Sequence, residues 1–430
     1  MRTPLLLDRR TLLAGLAGLA TMGLVTSCTS GNGSAAEARV DTDRRAPGEL
    51  ADVPDTVASF TSRLTQGVTQ PGANLVASPL SVLIALAMTR NGAAGQTATE
   101  MDEVLEAADL AAFNEGVNTL SQALNGRSGT FQHNGEDAEV TLNIANSLWS
   151  LPGYEFEEAF LTTLAEFYGA GMNLVDFGGD PTGSAEAING WTSDATAGKI
   201  EQIVGPDDLT AETRLVLVNA IHLKAPWLKP FSEGATEARP FTRADGEVVQ
   251  PDTMVGSAEA YHEDAVCRAA SKKFVGEQLA MALVEPTGTI DDTLAHWADG
   301  GLITLLDGLA PARVDLQLPK WTLEWKAELK GTLGELGMPT AMTDRADFSG
   351  MTETEQLMIA FILHRAVIEV DEIGAEAAAA TAVGAGVTSA PVDEPEKFVF
   401  DKPYLYVIHD VETRTPLFIG RVEDPTVAQG

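Results

Sequence analysis

Few side chains in this sequence stand at spacings that could make or break bonds. His262-Glu263 opens an H-E-x-x-H zinc pattern, but the second histidine is missing. The six histidines are otherwise scattered, without metal-ligand spacing. The sequence contains no G-x-S-x-G elbow, no paired C-x-x-C and no P-loop. Gly384-Ala385-Gly386 lacks a strand-turn-helix setting, and the carboxylate pairs Asp207-Asp208 and Asp291-Asp292 read as solvated faces. No enzyme, metal or cofactor is therefore expected. One thiol is different. Cys28 ends Val25-Thr26-Ser27-Cys28, which resembles a lipobox, a site of cysteine acylation.

The residues before Cys28 fit that chemistry. Arg9-Arg10 precedes an apolar run from Leu12 to Val25 that is short for a membrane span, and together they resemble a bacterial twin-arginine export signal. The expected organisation is an export signal over 1–27, a lipid-anchored flexible tether over 28–49 (small, polar and charged from Gly31 to Glu49) and one domain over 50–430. The expected location is the outer face of the cell membrane as a lipoprotein, or secretion. With Cys28 acylated, Cys267 has no partner for an internal disulfide.

The chain has 430 residues, 44% of them hydrophobic, which is ample for a large core. A net charge of −34 excludes nucleic acid and electrostatic docking on anionic lipid, and serves solubility.

The segment Val370 to Pro391, VDEIGAEAAAATAVGAGVTSAP, contradicts itself. It follows the strand-like AVIEVDE with helix-forming alanines and then glycines, and offers no large apolar anchor between Gly374 and Val383. As a helix it would be marginal. As a strand, Ala375, Ala377, Ala379, Thr381, Val383 and Ala385 share one small, nearly apolar face. Glu376, Ala378, Ala380, Ala382 and Gly384 share the face that tolerates water. Such a segment can be an exposed loop in one state and a buried strand in another. A flexible linker fits the composition equally well.

Elements that could position it are legible around it. Ser78-Pro79 caps a helix through LSVLIALAM, Thr97-Ala98-Thr99-Glu100 reads as a capping box, and Asp180-Pro181 opens a third helix. Strand signals run over Val140–Trp149, Arg214–Lys224, Arg313–Trp325 and Leu363–Glu372, and over the closing FVFDKPYLYVIHD and TPLFIGRVEDP. Helices dominate the first half and long strands the second. The expected fold is one α+β domain from about Leu50 to Pro425 on a large, mostly antiparallel or mixed sheet.

Across this span the chain resembles the serpin family. The matching segments are NLVASPLSVLIALAM, GQTATEM, NSLW, INGWTSDATAGKIEQIV, LVNAIHLKAPW, LPKW, ADFSGM, LHRAVIEVDEIGAEAAAATA, and FVFDKPYLYVI followed by PLFIGRVEDP, in the family's order. The resemblance implies the serpin fold, with an exposed reactive-centre loop over about 372–396. It also implies inhibition of serine, and sometimes cysteine, proteases by a suicide mechanism. The protease attacks the loop as a substrate and forms an acyl-enzyme. The freed loop then inserts as a new central strand and carries the protease with it, as serpin loops are known to do.

Residue by residue, the resemblance gives Lys320 and Glu372 as the ion pair where insertion begins, with Trp227 packed beside them. Ser78, Ser81, Asn219 and His364 form a hydrogen-bonded cluster under the strands that must part. Gly374 is the hinge, followed by Ala375, Glu376, Ala377, Ala378, Ala379 and Ala380 as the inserting run. Two positions depart from the pattern: Ala375 stands where Thr or Ser is usual, and Ile373 where a polar residue is common. The inserting run EAAAATA holds no proline, arginine or bulky side chain, so the resemblance implies a working inhibitor.

Counting from the hinge puts the scissile bond at Thr388-Ser389. Val387-Thr388 and Ser389-Ala390 stay open, and counting back from FVFDKPY points to the neighbourhood of Val392. No Lys or Arg occurs between Glu372 and Glu396, so small residues and Val suit elastase-like or subtilisin-like pockets rather than trypsin-like ones. The rival reading is a non-inhibitory carrier or binding lipoprotein on the same fold. A monomer is expected, with the target protease and the membrane lipid as partners.

Overall fold

The computed structural model describes residues 35–375 and 394–427. The expected export signal over 1–27, Cys28, the run Glu376–Ala380 and the bond Thr388-Ser389 lie outside the described residues.

Two large sheets carry the fold. The first has eight strands, with Ala36–Ala38 at one edge and Trp321–Glu328 at the other. Between them, Glu136–Ser150 runs antiparallel to Leu215–Pro226, which runs parallel to Ile359–Val370. Ile359–Val370 is in turn antiparallel to Trp321–Glu328. The second sheet has nine strands, among them Asp252–Glu263, Cys267–Lys273, Leu279–Pro286 and the closing pair Tyr404–Asp410 and Pro416–Val422.

The expected α+β architecture is thus present. Leu215–Leu223 is buried at every position because both faces of its sheet are covered. One face meets the helix Pro79–Arg90, itself buried along nearly its whole length. The opposite face packs Val216 and Val218 with Trp149 and with Ile188 of the helix Pro181–Ala195. A satellite core of Trp297, Leu294, Leu305 and Ala58 lies between the second sheet and its covering helices.

The helix starts at Ser78-Pro79 and Asp180-Pro181 form as expected. Ser78 accepts from the Ser81 N–H, and Asp180 from the Gly183 N–H. The Thr97–Glu100 capping box does not form. That helix begins at Gly95, so Thr97 already lies in its first turn and accepts from the Asp347 N–H at 2.9 Å. Glu100 instead accepts from the backbone N–H and hydroxyl of Thr340, at 2.9 and 2.7 Å. Arg313–Trp325 is not one strand either. The chain changes sheet at Lys320, with Ala310–Pro319 in the second sheet and Trp321–Glu328 in the first. Pro319 cannot donate to a ladder, and its carbonyl side marks the switch.

The expected tether is also shorter than its composition suggests. Ala36–Ala38 pairs with Met172–Leu174 and extends the first sheet. Arg44 then donates to Asn118 Oδ1, and Arg45 bonds Glu166 through both backbone and side chain while its guanidinium stacks over Phe167. The Gly48 N–H reaches Thr119 Oγ1 at 2.8 Å. Polar composition reads as flexible only when no neighbouring edge offers partners; here the edge strand and a helix face do.

Candidate functional site

Leu215–Pro226 and Ile359–Val370 pair in parallel from Ile359↔Leu215 up to Ala366↔Ile221, and there the pairing ends. Above this point a two-residue strand, Gly374–Ala375, enters between them. Ala375 pairs antiparallel with Val370 on one side and Ala225 on the other, and Gly374 pairs with Pro226. The sheet is therefore forked, and the first residues of the anomalous segment already sit in its mouth. Ala375 is fully buried within the main core, and Gly374 beside it is buried too.

The turn before Gly374 is gripped from one side. The Trp227 N–H donates to the Ile373 carbonyl at 2.7 Å, the Trp227 indole to the Asp371 carbonyl at 3.0 Å, and the Phe231 N–H to the Glu372 carbonyl at 2.8 Å. Asp371 Oδ1 caps the turn by accepting from the N–H groups of Ile373 and Gly374. Trp227 stacks on Phe274 with ring centres 4.4 Å apart.

Lys320 Nζ lies 2.8 Å from Glu372 Oε2, and Thr236 donates its hydroxyl to Glu372 Oε1 at 2.7 Å. Burial pushes the Glu372 carboxyl up. The Lys320 ammonium and the Thr236 hydroxyl outweigh that and hold it below the usual carboxylate range. Lys320 is held above its ordinary value, chiefly by Glu372 and against some burial.

Below the fork lies the second group. The Ser78 N–H donates to His364 Nε2 at 3.1 Å, which leaves Nδ1 to carry the proton toward Asn219 Oδ1. Asn219 and His364 face each other across the parallel pair, and Asn219 faces Asn146 across the next. Ser81 donates its N–H to Ser78 Oγ at 3.4 Å and its hydroxyl to Asn146 Oδ1 at 3.2 Å. Complete burial pushes the His364 imidazole down to about 3, so it is neutral here.

A family model for serpins, serine protease inhibitors, matches residues 55–425. This chain is a serpin. An uncharacterised serpin-like protein of Thermococcus kodakarensis is 34% identical over 382 residues, 88% of this chain and 87% of that one. The leukocyte elastase inhibitor of Bos taurus is 32% identical, spanning 83% of this chain and 94% of that protein. Among solved structures, the native state of a thermophilic serpin, tengpin, superposes with a TM-score of 0.81 at 25% identity, over 91% of this chain and all of that one.

In this serpin, sequence reasoning named Lys320, Glu372, Trp227, Gly374 and Ala375, which the fold gathers at the mouth, and Ser78, Ser81, Asn219 and His364, which it gathers below. It missed Asn146, although that residue opens the quoted NSLW segment. It also missed Thr236, Phe231 and Lys272. The last three sit on irregular chain or in the second sheet, where no periodicity announces which neighbour they meet.

Proposed function

We propose that this serpin is a suicide-substrate inhibitor of serine proteases with elastase-like or subtilisin-like pockets, anchored by lipid at Cys28. The observation that carries the reading is the placement of Gly374 and Ala375 between two parallel strands. Parallel ladders are slightly less stable per residue than antiparallel ones. A strand continuing from Ala375 would replace one parallel ladder with two antiparallel ones and add its own hydrogen bonds. That difference is the stored driving force.

Continued at the same register, Ala379 would come between Ile221 and Ala366, the last parallel pair of the closed sheet. Thr381 would then come between Asn219 and His364 and exchange their mutual hydrogen bond for its own. Every core-facing position up to that point is alanine, small enough to pass. The protease serine would acylate on the carbonyl of the cleaved bond, Thr388-Ser389 in this reading, and release the C-terminal segment as a free amine. Insertion would then displace the attached protease before water completes the hydrolysis.

The anchor has a geometric consequence. Because Ala36 is already paired in the sheet, only about seven residues separate it from Cys28, a reach of about 25 Å at ~3.5 Å each.

The test mixes the protein with pancreatic elastase, subtilisin and trypsin and separates the products in SDS. The reading expects a covalent band at the summed mass with the first two and none with trypsin. Complete turnover of the loop by all three enzymes without such a band would favour the carrier reading.

A further inference from the structure

Lys272 stands on Cys267–Lys273 of the second sheet and is completely buried. Its ammonium donates to the Lys229 carbonyl at 2.6 Å and to the Ser257 carbonyl at 2.8 Å. It also lies 4.4 Å from the centre of the Phe231 ring and 5.5 Å from that of Trp227. These contacts have one feature in common. Lys229, Trp227 and Phe231 belong to the short segment whose two N–H groups and indole hold the carbonyls of Asp371, Glu372 and Ile373. Ser257 belongs to the strand Asp252–Glu263 of the second sheet. The Leu228 N–H also reaches the Lys273 carbonyl at 2.9 Å, and the buried cation adds a second tie between the hinge-gripping segment and the sheet behind it.

We propose that Lys272 is the positioning residue of the mouth: its ammonium holds the Trp227–Phe231 segment in place and so sets how firmly the turn before Gly374 is retained. A buried lysine costs stability unless its charge is compensated, and a residue such as leucine or methionine would fill the same space without that cost. Among the described residues the charge is compensated by contacts to the gripping segment and to Ser257, with Glu259 as the nearby counter-charge.

The surroundings define how the device responds to pH. Burial pushes the Lys272 ammonium down to about 8, with Glu259 opposing the shift and Lys229 adding to it. Glu259 faces it from Asp252–Glu263 and accepts from the Lys273 N–H. Lys229 approaches Glu259 at 3.5 Å, and Lys273 is occupied by Glu277. The cross-strand partner on Leu279–Pro286 is Met281, which does not titrate. Glu372 is paired with Lys320 and Thr236, and Asp371 Oδ1 accepts from the N–H groups of Ile373 and Gly374. Above pH 8 the neutral amine keeps donors for both carbonyls, but it loses the charge assistance and the attraction to the two rings.

The inference uses the hinge's place in the proposed insertion, yet its test reads the hinge itself and needs no protease. Hydrogen exchange of the peptide spanning residues 371–375 is followed by mass spectrometry on the full-length protein, each rate divided by the intrinsic rate at that pH. Lys272→Met at pH 7 is expected to exchange about tenfold faster than the native protein. The native protein is expected to rise about threefold between pH 7 and 9.5, and the variant to show no such rise. Equal exchange in the two proteins at pH 7, or a flat native profile, would overturn the proposal and leave Lys272 a packing residue. If Lys272→Met fails to fold, the native profile alone decides. Failure here would leave the inhibitory reading standing, because a covalent protease complex does not depend on how tightly the resting turn is held.

Discussion

The carbonyl oxygen of Ala225 occupies the place where a Cβ on Gly374 would have to go, and the Cα of Pro226 crowds the same point. Gly374 is therefore required by close approach rather than by a left-handed backbone. Gly374→Val should expel the hinge from the fork and cost the ladder bonds that Gly374 and Ala375 make, about 1 kcal/mol each. Urea denaturation should show the loss. In SDS the variant should be cleaved by elastase with a much smaller share of covalent complex. Unchanged complex yield would mean that the entry seen here is not on the insertion path.

Ala379→Arg probes further down. At the register of Ala375 its side chain would be driven between Ile221 and Ala366, both buried to within 1% exposure. An unpaired charge cannot be accommodated there. Nearly every protease encounter should then end in turnover of the loop rather than in a covalent complex. Retention of at least half the native complex yield would contradict the register.

The ion pair at the mouth gives a prediction in pH. Glu372 is held below its ordinary value, so its contribution is present above about pH 4.5 and is lost as the pH falls through the lowered value. Lys320 is held above its ordinary value, so its contribution is present below about pH 10.5 and is lost as the pH rises through the raised one. The Lys320 side chain is 38% exposed, so solvent screens the pair and Lys320→Met should cost only about 1 kcal/mol. Urea midpoints should separate the two proteins by a constant amount between pH 5 and 10 and converge outside that window.

Two buried histidines set the acid limit. His364 and His409 are pushed by burial to about 3 and about 4, while the unfolded chain takes up those protons near 6.5. Stability must then fall as pH drops below 6.5, with each group contributing up to about 1.4 kcal/mol per pH unit. Replacing His364 by Gln should remove about one proton from the slope of urea midpoints between pH 5 and 6. An unchanged slope would show that the imidazole is charged in the native cluster.

The sequence announced whatever local pattern alone decides, and it failed where a distant neighbour decides. Ser78-Pro79 and Asp180-Pro181 foretold helix starts, because a cap followed by proline acts through covalent spacing alone. Thr97 and Glu100 satisfy the capping-box pattern, but Asp347 and Thr340 compete for them from far along the chain. Leu316 and Leu318 alternate in one phase and Trp321 and Leu323 in the other, and the slip falls at Pro319-Lys320, where the chain passes from one sheet to the other. Arg44 and Arg45 look like tether residues until Asn118, Glu166 and Phe167 are brought beside them. Asn146 and Lys272 carried no signal at all, since an asparagine in a strand and a lysine in a strand are most often solvated.

The central claim is that the intact fold is held away from its most stable arrangement and reaches it by taking the cut segment into the fork. The most direct measurement is a thermal melt of the protein before and after limited cleavage within residues 385–392, with the site fixed by mass spectrometry and both fragments retained. The account predicts that the cleaved form melts well above the intact one and resists urea that unfolds the latter. A cleaved form that melts at or below the intact one would contradict it.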